Sequence, residues 1–273
     1  MPSAGYDIEK TGGIIEMTDI KDRVVLITGG SSGIGFEMAT QMLEEGSKVI
    51  ICGRSQKKLD EAKRKLPNVT AIQCDITSID ERKALVERMV NDFPTLNMLM
   101  NNAGVVSRYL LATTGDLTDR ITAEWETNYL APVILTQLFL PLLIKNRGTV
   151  VNVSSGLAHI PMSIEPNYCA TKAAMHSMTQ SMRIQYAKAG VKVVEILYPE
   201  VNTSFQEGHA TARAISPAVA AGEALRQLNS GRDEIYVKMS KMMYRISRLA
   251  PRRGLKMING FIPAEVEELL RVR

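Results

Sequence analysis

Short, almost continuously apolar runs alternate with longer amphipathic runs along most of this chain. RVVLITGG at 23–30 is a β-rich run that ends on glycines. FEMATQMLEEG at 36–46 sets Phe36, Ala39, Met42 and Leu43 at helical spacing, with Gly46 just beyond, where a helix commonly closes. KVIIC (48–52) predicts a second strand, SQKKLDEAKRKL (55–66) a charged, exposed helix, and VTAIQC (69–74) a third strand. Ser78-Ile79-Asp80-Glu81 has the form of a capping box and opens a helix through about Asp92. LNMLMNNAG, GTVVNVSS, VKVVEILYP and DEIYV supply four more strands, with a long helical run at about 122–146 between the first two. The strands do not alternate apolar with polar, which indicates burial on both faces and hence a parallel sheet between helical layers. The expectation is a single doubly wound α/β domain of about seven strands over 23–273, after a flexible polar arm at 1–22.

Composition narrows the function classes. The 273 residues are 45% hydrophobic and 23% charged, ordinary for a soluble globular protein. A net charge of +4 is too small to argue for nucleic acid. No uninterrupted apolar run reaches the roughly 18 residues of a spanning helix, and the first residues lack the pattern of a secretory signal. Cys52, Cys74 and Cys169 are an odd set with no metal-type spacing, read as reduced packing residues of a cytoplasmic protein. The three histidines are scattered and show no ligand spacing, so no metal site is expected.

The chemistry concentrates between Ser155 and Lys172. Tyr168 and Lys172 stand at i and i+4 in the helical run YCATKAAMHSMTQSMRIQY, which puts both side chains on one helix face. An ammonium beside a phenol favours phenolate and lowers a pKa that starts at about 10, so Tyr168 becomes a candidate acid/base. Ser155 closes the strand VVNVSS, at the carboxyl end where ligands bind in open α/β sheets. Inside the long helix, Pro132 has no N–H to return to the carbonyl of Asn128, and a freed carbonyl beside an Asn side chain can hold a water.

A second feature is the turn Thr28-Gly-Gly-Ser-Ser-Gly-Ile-Gly35 between the first strand and the first helix. Gly29, Gly33 and Gly35 allow a tight turn and a close backbone approach to a pyrophosphate resting on the helix N-terminus. Ser31, Ser32 and Ile34 complete that turn. The next strand ends Gly53-Arg54. A NAD site usually has a carboxylate here, whereas the Arg54 fork can hold a 2′-phosphate, so NADP(H) is preferred over NAD(H).

With these pieces assembled, the chain resembles the short-chain dehydrogenase/reductase (SDR) family from about Asp22 to at least Thr203. TGGSSGIG resembles the family's TGxxxGxG. Cys74-Asp75-Ile76 resembles its adenine contact, through the Asp75 side chain and the Ile76 backbone. Asn101-Asn102-Ala103-Gly104 matches its NNAG motif, where Asn102, Ala103 and Gly104 line the adenine ribose. Asn128, Ser155, Tyr168 and Lys172 match its catalytic tetrad. SSGLAHIP and YCATKAAMHSMTQSMR are similar to the DltE-type oxidoreductases. The resemblance implies hydride transfer between a nicotinamide and a small carbonyl or alcohol substrate. Tyr168 would move the proton, Ser155 orient the oxygen, Lys172 bind the nicotinamide ribose, and Asn128 hold a relay water. It also implies a homodimer or homotetramer. Tyr198-Pro199-Glu200-Val201-Asn202-Thr203 departs from the family's Pro-Gly, although Val201 and Thr203 still match the residues over the nicotinamide.

The last third is less constrained. Residues at about 204–232 are expected to form a flap, with Phe205, His209 and AISPAVAAGEAL giving an apolar, non-anionic lining for an apolar substrate. Lys238–Lys256 holds seven basic residues and no acid, and its first part reads as one helix with basic and apolar stripes. Such a helix docks on its own core or a partner subunit, the commoner fate, or lies on an anionic membrane surface. A dinucleotide-sensing regulator and a membrane-associated lipid or steroid ketone reductase are the alternative readings.

Overall fold

The computed structural model describes residues 20–111, 114–206 and 211–260. Most of the expected arm, His209 and the end of the basic C-terminal segment lie outside the described residues. The predicted strands all form: β1 (Val24–Thr28), β2 (Lys48–Gly53), β3 (Thr70–Gln73), β4 (Met98–Asn101), β5 (Thr149–Ser155), β6 (Lys192–Tyr198) and β7 (Glu234–Tyr236). They pair in parallel in the order β3-β2-β1-β4-β5-β6-β7. The order reverses between β1 and β4, which opens a crevice at the strands' carboxyl ends.

Successive strand residues point to opposite faces, so two cores form. Val25, Ile27, Val49 and Ile51 pack against α1 (Gly33–Glu44), α2 (Gln56–Lys65) and α7 (Pro217–Asn229). Leu26, Ile50, Leu99 and Val150 pack against α3 (Ile79–Asp92), α5 (Ala131–Lys145) and α6 (Pro166–Ala187). The strands lack alternation because both faces are covered, as the sequence implied.

One row breaks the apolar rule. Asn101, Asn152, Glu195 and Glu234 are in register across β4, β5, β6 and β7. Asn101 donates to Asn152 Oδ1 at 2.9 Å and to Thr136 Oγ1 at 3.0 Å. Asn152 donates to Thr179 Oγ1 at 2.9 Å, and Glu195 meets His176 Nδ1 at 2.6 Å. The row ties the sheet to α6 by hydrogen bonds that offset most of the cost of burying its polar groups, while Asn101 Oδ1 and Glu195 Oε1 have no partner among the described residues.

Several expectations need correction. The long helix starts earlier and is not uniform: α4 (Thr118–Trp125) runs into a π-turn at Glu126–Leu130 and then α5. Pro132 is the second residue of α5. It cannot donate to the carbonyl of Asn128, and the ladder widens, with the Ala131 N–H reaching back five residues to the carbonyl of Glu126. The Thr118–Lys145 run is long and apolar enough to cross a membrane, yet half of its most apolar stretch is buried in the fold. The capping box is half made: Ser78 accepts from the Glu81 N–H, but the Glu81 carboxylate accepts from the Asp75 N–H at 2.8 Å.

AISPAVAAGEAL does not belong to a flap. Its alanines Ala220, Ala221 and Ala224 are fully buried, and these small side chains let α7 pack closely on α1. The basic segment forms two helices, α8 (Ser240–Leu249) and α9 (Pro251–Asn259), broken at Ala250-Pro251. Met243 is the buried methionine of α8, and Leu249 is 85% exposed. The pair docks on its own core. A Cβ on Gly254 would lie 2.8 Å from Ile246 and 3.0 Å from Ile160, so α9 sits tightly against both.

Asn152→Leu would take one hydrogen bond each from Asn101 and Thr179 in a dry interior. A loss of about 2 kcal/mol is expected, which lowers the melting temperature by roughly 4–8 °C in a chain of this size. Thermal denaturation followed by circular dichroism checks it.

Candidate active site

The switch point is pinned by Thr28. Its Oγ1 accepts from the N–H groups of Asn102 and Ala103, both at 3.0 Å, while Asn102 Nδ2 donates to the Thr28 carbonyl at 2.9 Å. The ends of β1 and β4 are thereby locked side by side. Gly33 begins α1 at φ +57°, a left-handed conformation that favours glycine. A Cβ on Gly35 would lie 2.4 Å from Asn102 Nδ2 and 2.7 Å from the Gly29 carbonyl. The turn is therefore a cradle with no room for side chains, opening onto the amides of the first turn of α1. That arrangement suits a pyrophosphate.

One continuous cleft runs from this cradle to the helix face of Tyr168. It is lined by Gly29, Ser31, Ser32, Gly33, Ile34, Gly35 and Arg54, by Asp75, Ile76, Asn102, Ala103 and Gly104, and by Ser155, Tyr168, Lys172, Val201 and Thr203. Every predicted site residue except Asn128 is on that wall. Arg54 is exposed at its rim, with no carboxylate at the end of β2. Asp75 Oδ1 accepts from Thr77 N and Oγ1 at 2.9 and 2.8 Å. The residues fit a dinucleotide: an anion cradle at one end, an adenine-side loop beside it, and titratable groups at the far end.

Asn128 is 2% exposed and stands behind the wall. Its side chain accepts from the Val105 N–H and donates to the Val105 carbonyl, each at 2.8 Å, and it donates to Thr171 Oγ1 at 3.2 Å. The Asn128 amide is thus occupied in clamping the loop after β4. Any water would have to be held by its main chain.

At the far end, Tyr168 and Lys172 share one face of α6, with Nζ 5.6 Å from the tyrosine ring centre. Nζ donates to the Val153 carbonyl at 3.0 Å. The expectation that Lys172 depresses the Tyr168 pKa is not met. Burial pushes the phenol up, the nearby Glu165 and Cys169 add to this, and a hydrogen bond with Ser155 pulls only partly the other way. Lys172 is itself brought down to about 8 by burial, against which Glu195 holds it up. Phe205 packs edge-on to Tyr168, with ring centres 5.8 Å apart.

The lining is not purely apolar and non-anionic. Met162, Met239, Met243, Met257 and Ile258 form a soft apolar wall, but Arg108, Glu165 and Glu200 also face the cleft. Arg108 Nε donates to Glu165 Oε1 at 2.8 Å, and Glu165 is 5% exposed at its side chain. Glu200, in the place of the missing glycine, accepts from Thr211 N at 2.8 Å and Oγ1 at 2.6 Å, which fastens the short flap to the end of β6. Cys169 lies beside Tyr168, but burial pushes its thiol up to about 12, which disfavours the thiolate at neutral pH.

The sequence missed two groupings. Arg108 and Glu165 belong to loops with no periodicity, and nothing marks them as partners. The fold also gathers the scattered His159 and His176, with ring centres 4.7 Å apart, beside Glu195 and Glu234. Here a signal existed: Glu195 is a lone charge in VVEILY, a run that otherwise reads as buried.

The comparisons with known proteins agree with this geometry. The family described as short chain dehydrogenase matches residues 23–214. The oxidoreductase DltE of Bacillus subtilis (strain 168) is 43% identical over 194 residues, spanning 68% of this chain and 74% of that protein. L-fucose dehydrogenase of Bos taurus is 32% identical over 63% of each. A short chain dehydrogenase from Burkholderia cenocepacia J2315, crystallised in complex with NADP, superposes with a TM-score of 0.79 at 25% identity, over 88% of this chain and 98% of that one. The chain belongs to the short-chain dehydrogenase family and is an oxidoreductase of the type that acts on alcohol and carbonyl groups.

Proposed function

We propose that the protein is an NADP(H)-dependent oxidoreductase that interconverts a small carbonyl compound and its secondary alcohol, with Tyr168 as the acid/base. The observation that carries the reading is the single cleft that joins the glycine cradle to the buried Ser155–Tyr168–Lys172 group. Gly29 to Gly35 would hold the pyrophosphate, Asp75 and Ile76 the adenine side, and Val201 and Thr203 the nicotinamide end. When bound, the dinucleotide supplies or accepts the hydride.

The chain's own residues deal with the oxygen and its proton. Ser155 donates to the substrate oxygen and supports the charge that grows there. Burial keeps the Tyr168 hydroxyl protonated, which suits it to give that proton to the oxygen during reduction. In the reverse direction it takes the alcohol proton, and the Lys172 ammonium stabilises the phenolate that must first exist. Lys172 is held near 8, so its charge is present at neutral pH and is lost as pH rises through that value. Asn128 supports the site by clamping the loop that carries Gly104 and Val105.

NADP(H) is favoured by Arg54 at the rim and by the absence of a carboxylate at Gly53. The NADP complex of the Burkholderia cenocepacia relative supports this reading. The methionine-rich wall favours an apolar substrate, since thioethers adapt to irregular shapes. The Arg108–Glu165 pair favours a neutral one. A charged substrate would have to break a mostly buried ion pair and leave one member uncompensated, which costs about 3–5 kcal/mol.

Tyr168→Phe keeps the ring and removes the proton. Its NADPH-linked turnover of an aldehyde or ketone panel should fall by at least about a hundredfold, and a rate near that of the parent would sink the assignment. Arg54→Asp should weaken NADPH binding far more than NADH binding, as read by quenching of protein fluorescence. Equal losses for both would remove the NADP(H) preference.

A further inference from the structure

Behind the catalytic face of α6 lies a titratable group that the proposed reaction does not use. Tyr168, Lys172 and His176 follow one another at intervals of four on that helix. His176 Nδ1 meets Glu195 Oε2 at 2.6 Å. Glu195 is fully buried, and its other oxygen has no hydrogen-bond partner among the described residues. Its strand neighbour in register is Asn152. The next residue on that strand, Val153, supplies the carbonyl that binds Lys172 Nζ. The carboxylate and the ammonium therefore both lie beneath α6, one bound to His176 a single turn along from Lys172 and the other bound to the Val153 carbonyl.

We propose that Glu195, held by His176, is a positioning residue that keeps the buried Lys172 ammonium charged and so sets the pH range over which the tyrosine can work. This rests on the reading of Tyr168 and Lys172 as the proton-transfer pair. A buried ammonium tends to shed its proton unless a compensating negative charge is close. The Glu195 carboxylate acts on Lys172 in that sense, holding the ammonium up against burial. The bond to Glu195 raises the His176 pKa; above it the imidazole is neutral and leaves the carboxylate charge to act on Lys172, and below it the imidazolium offsets that charge. Gln180 Nε2 lies 3.2 Å from His176 Nε2. If the amide donates there, Nε2 accepts and Nδ1 carries the hydrogen given to Glu195.

The other groups packed around this pair lie on its outer side. On β7, Glu234 accepts from Tyr236 OH at 2.9 Å and pairs with Arg183 of α6 at 3.4 Å. His159, after β5, packs edge-on to His176 and is held down to about 4 by burial. Tyr244 and Arg248 of α8 lie beyond His159. Arg183 opposes the Glu234 charge on that outer side.

A cation site is the competing use of these residues, since His176, Glu195 and Glu234 bring ligating atoms within 4.8 Å of one another. The geometry opposes it. Two ligands about 2.1 Å from a tetrahedral ion stand more than about 3 Å apart, whereas Nδ1 and Oε2 are at the 2.6 Å of a hydrogen bond. Both oxygens of Glu234 are already engaged by Arg183 and Tyr236.

The test reads Lys172 directly. Full-length protein is labelled with 13C at the lysine ε-carbons, the Lys172 signal is assigned by its loss in Lys172→Met, and its titration is followed by NMR. Glu195→Gln keeps the shape and removes the charge. Its Lys172 midpoint should fall by about one pH unit, a tenfold change in the ionisation ratio, while Glu195→Asp stays close to the parent. Glu195→Met removes the charge with a similar volume and serves if the glutamine variant does not fold. The alkaline limb of kcat/KM for NADPH-linked reduction should move down with the midpoint. A residue important only for packing would lower the rate at every pH and leave the limb in place. An unmoved Lys172 midpoint in a folded, charge-free variant overturns the proposal. A moved midpoint alongside a fully active Tyr168→Phe would instead leave Glu195 as the charge holder and reject the assigned reaction.

Discussion

A charged amine in a dry place is the constraint around which this molecule is arranged. Lys172 is 5% exposed, and an ammonium taken out of water loses several kcal/mol of solvation unless the protein replaces it. The replacement comes from two directions. The Val153 carbonyl accepts one of its hydrogens, and Glu195 supplies the opposing charge. Neither group is near Lys172 in sequence. Both are delivered by parallel strands whose register sets them beside α6, so the state of one side chain depends on the pairing of β5 with β6 along their whole length.

The same register explains why a polar row crosses an otherwise apolar interior. Asn101, Asn152, Glu195 and Glu234 face one layer of helices. Each member is bonded to α5 or α6, which offsets much of the cost of burying it. The result is directional. Hydrogen bonds fix α6 in both rotation and height, where leucines alone would tolerate sliding, and a helix that slid would carry Tyr168 away from Ser155. Thr28 performs the corresponding task on the cofactor side, by joining the ends of β1 and β4.

Much of this is legible in the chain itself. Seven strands are visible because continuous apolar runs of Val, Ile and Leu have few other uses in a compact α/β domain. The glycine cradle and the tyrosine–lysine spacing are visible because their chemistry is local. What cannot be read depends on distance. AISPAVAAGEAL resembles a flap since alanine carries no strong pattern, and only contact with α1 identifies it as a core helix. His159 and His176 look unrelated because β5 and α6 meet only in three dimensions. The direction of the Tyr168 shift is hidden for the same reason. Sequence spacing reveals the nearby ammonium, but the depth of burial and the placing of Glu165 decide the sign.

Pro132 shows how a local defect and a distant site become one feature. Proline removes a single donor from the long helix, and the backbone answers with the π-turn of Glu126–Leu130. Such a turn adds a residue to one helical circuit and rotates α4 relative to α5. Asn128 lies inside the turn and faces the loop after β4, where it clamps Val105 through both polar atoms of its amide. A Cβ on the neighbouring Gly104 would lie 3.3 Å from Asn128 Oδ1 and 3.9 Å from Lys172 Nζ, so the clamp holds the loop directly over the lysine. A regular helix would have aimed Asn128 elsewhere and cost the loop its hold at Val105. The irregularity thus converts a missing N–H into the contact that roofs the buried amine.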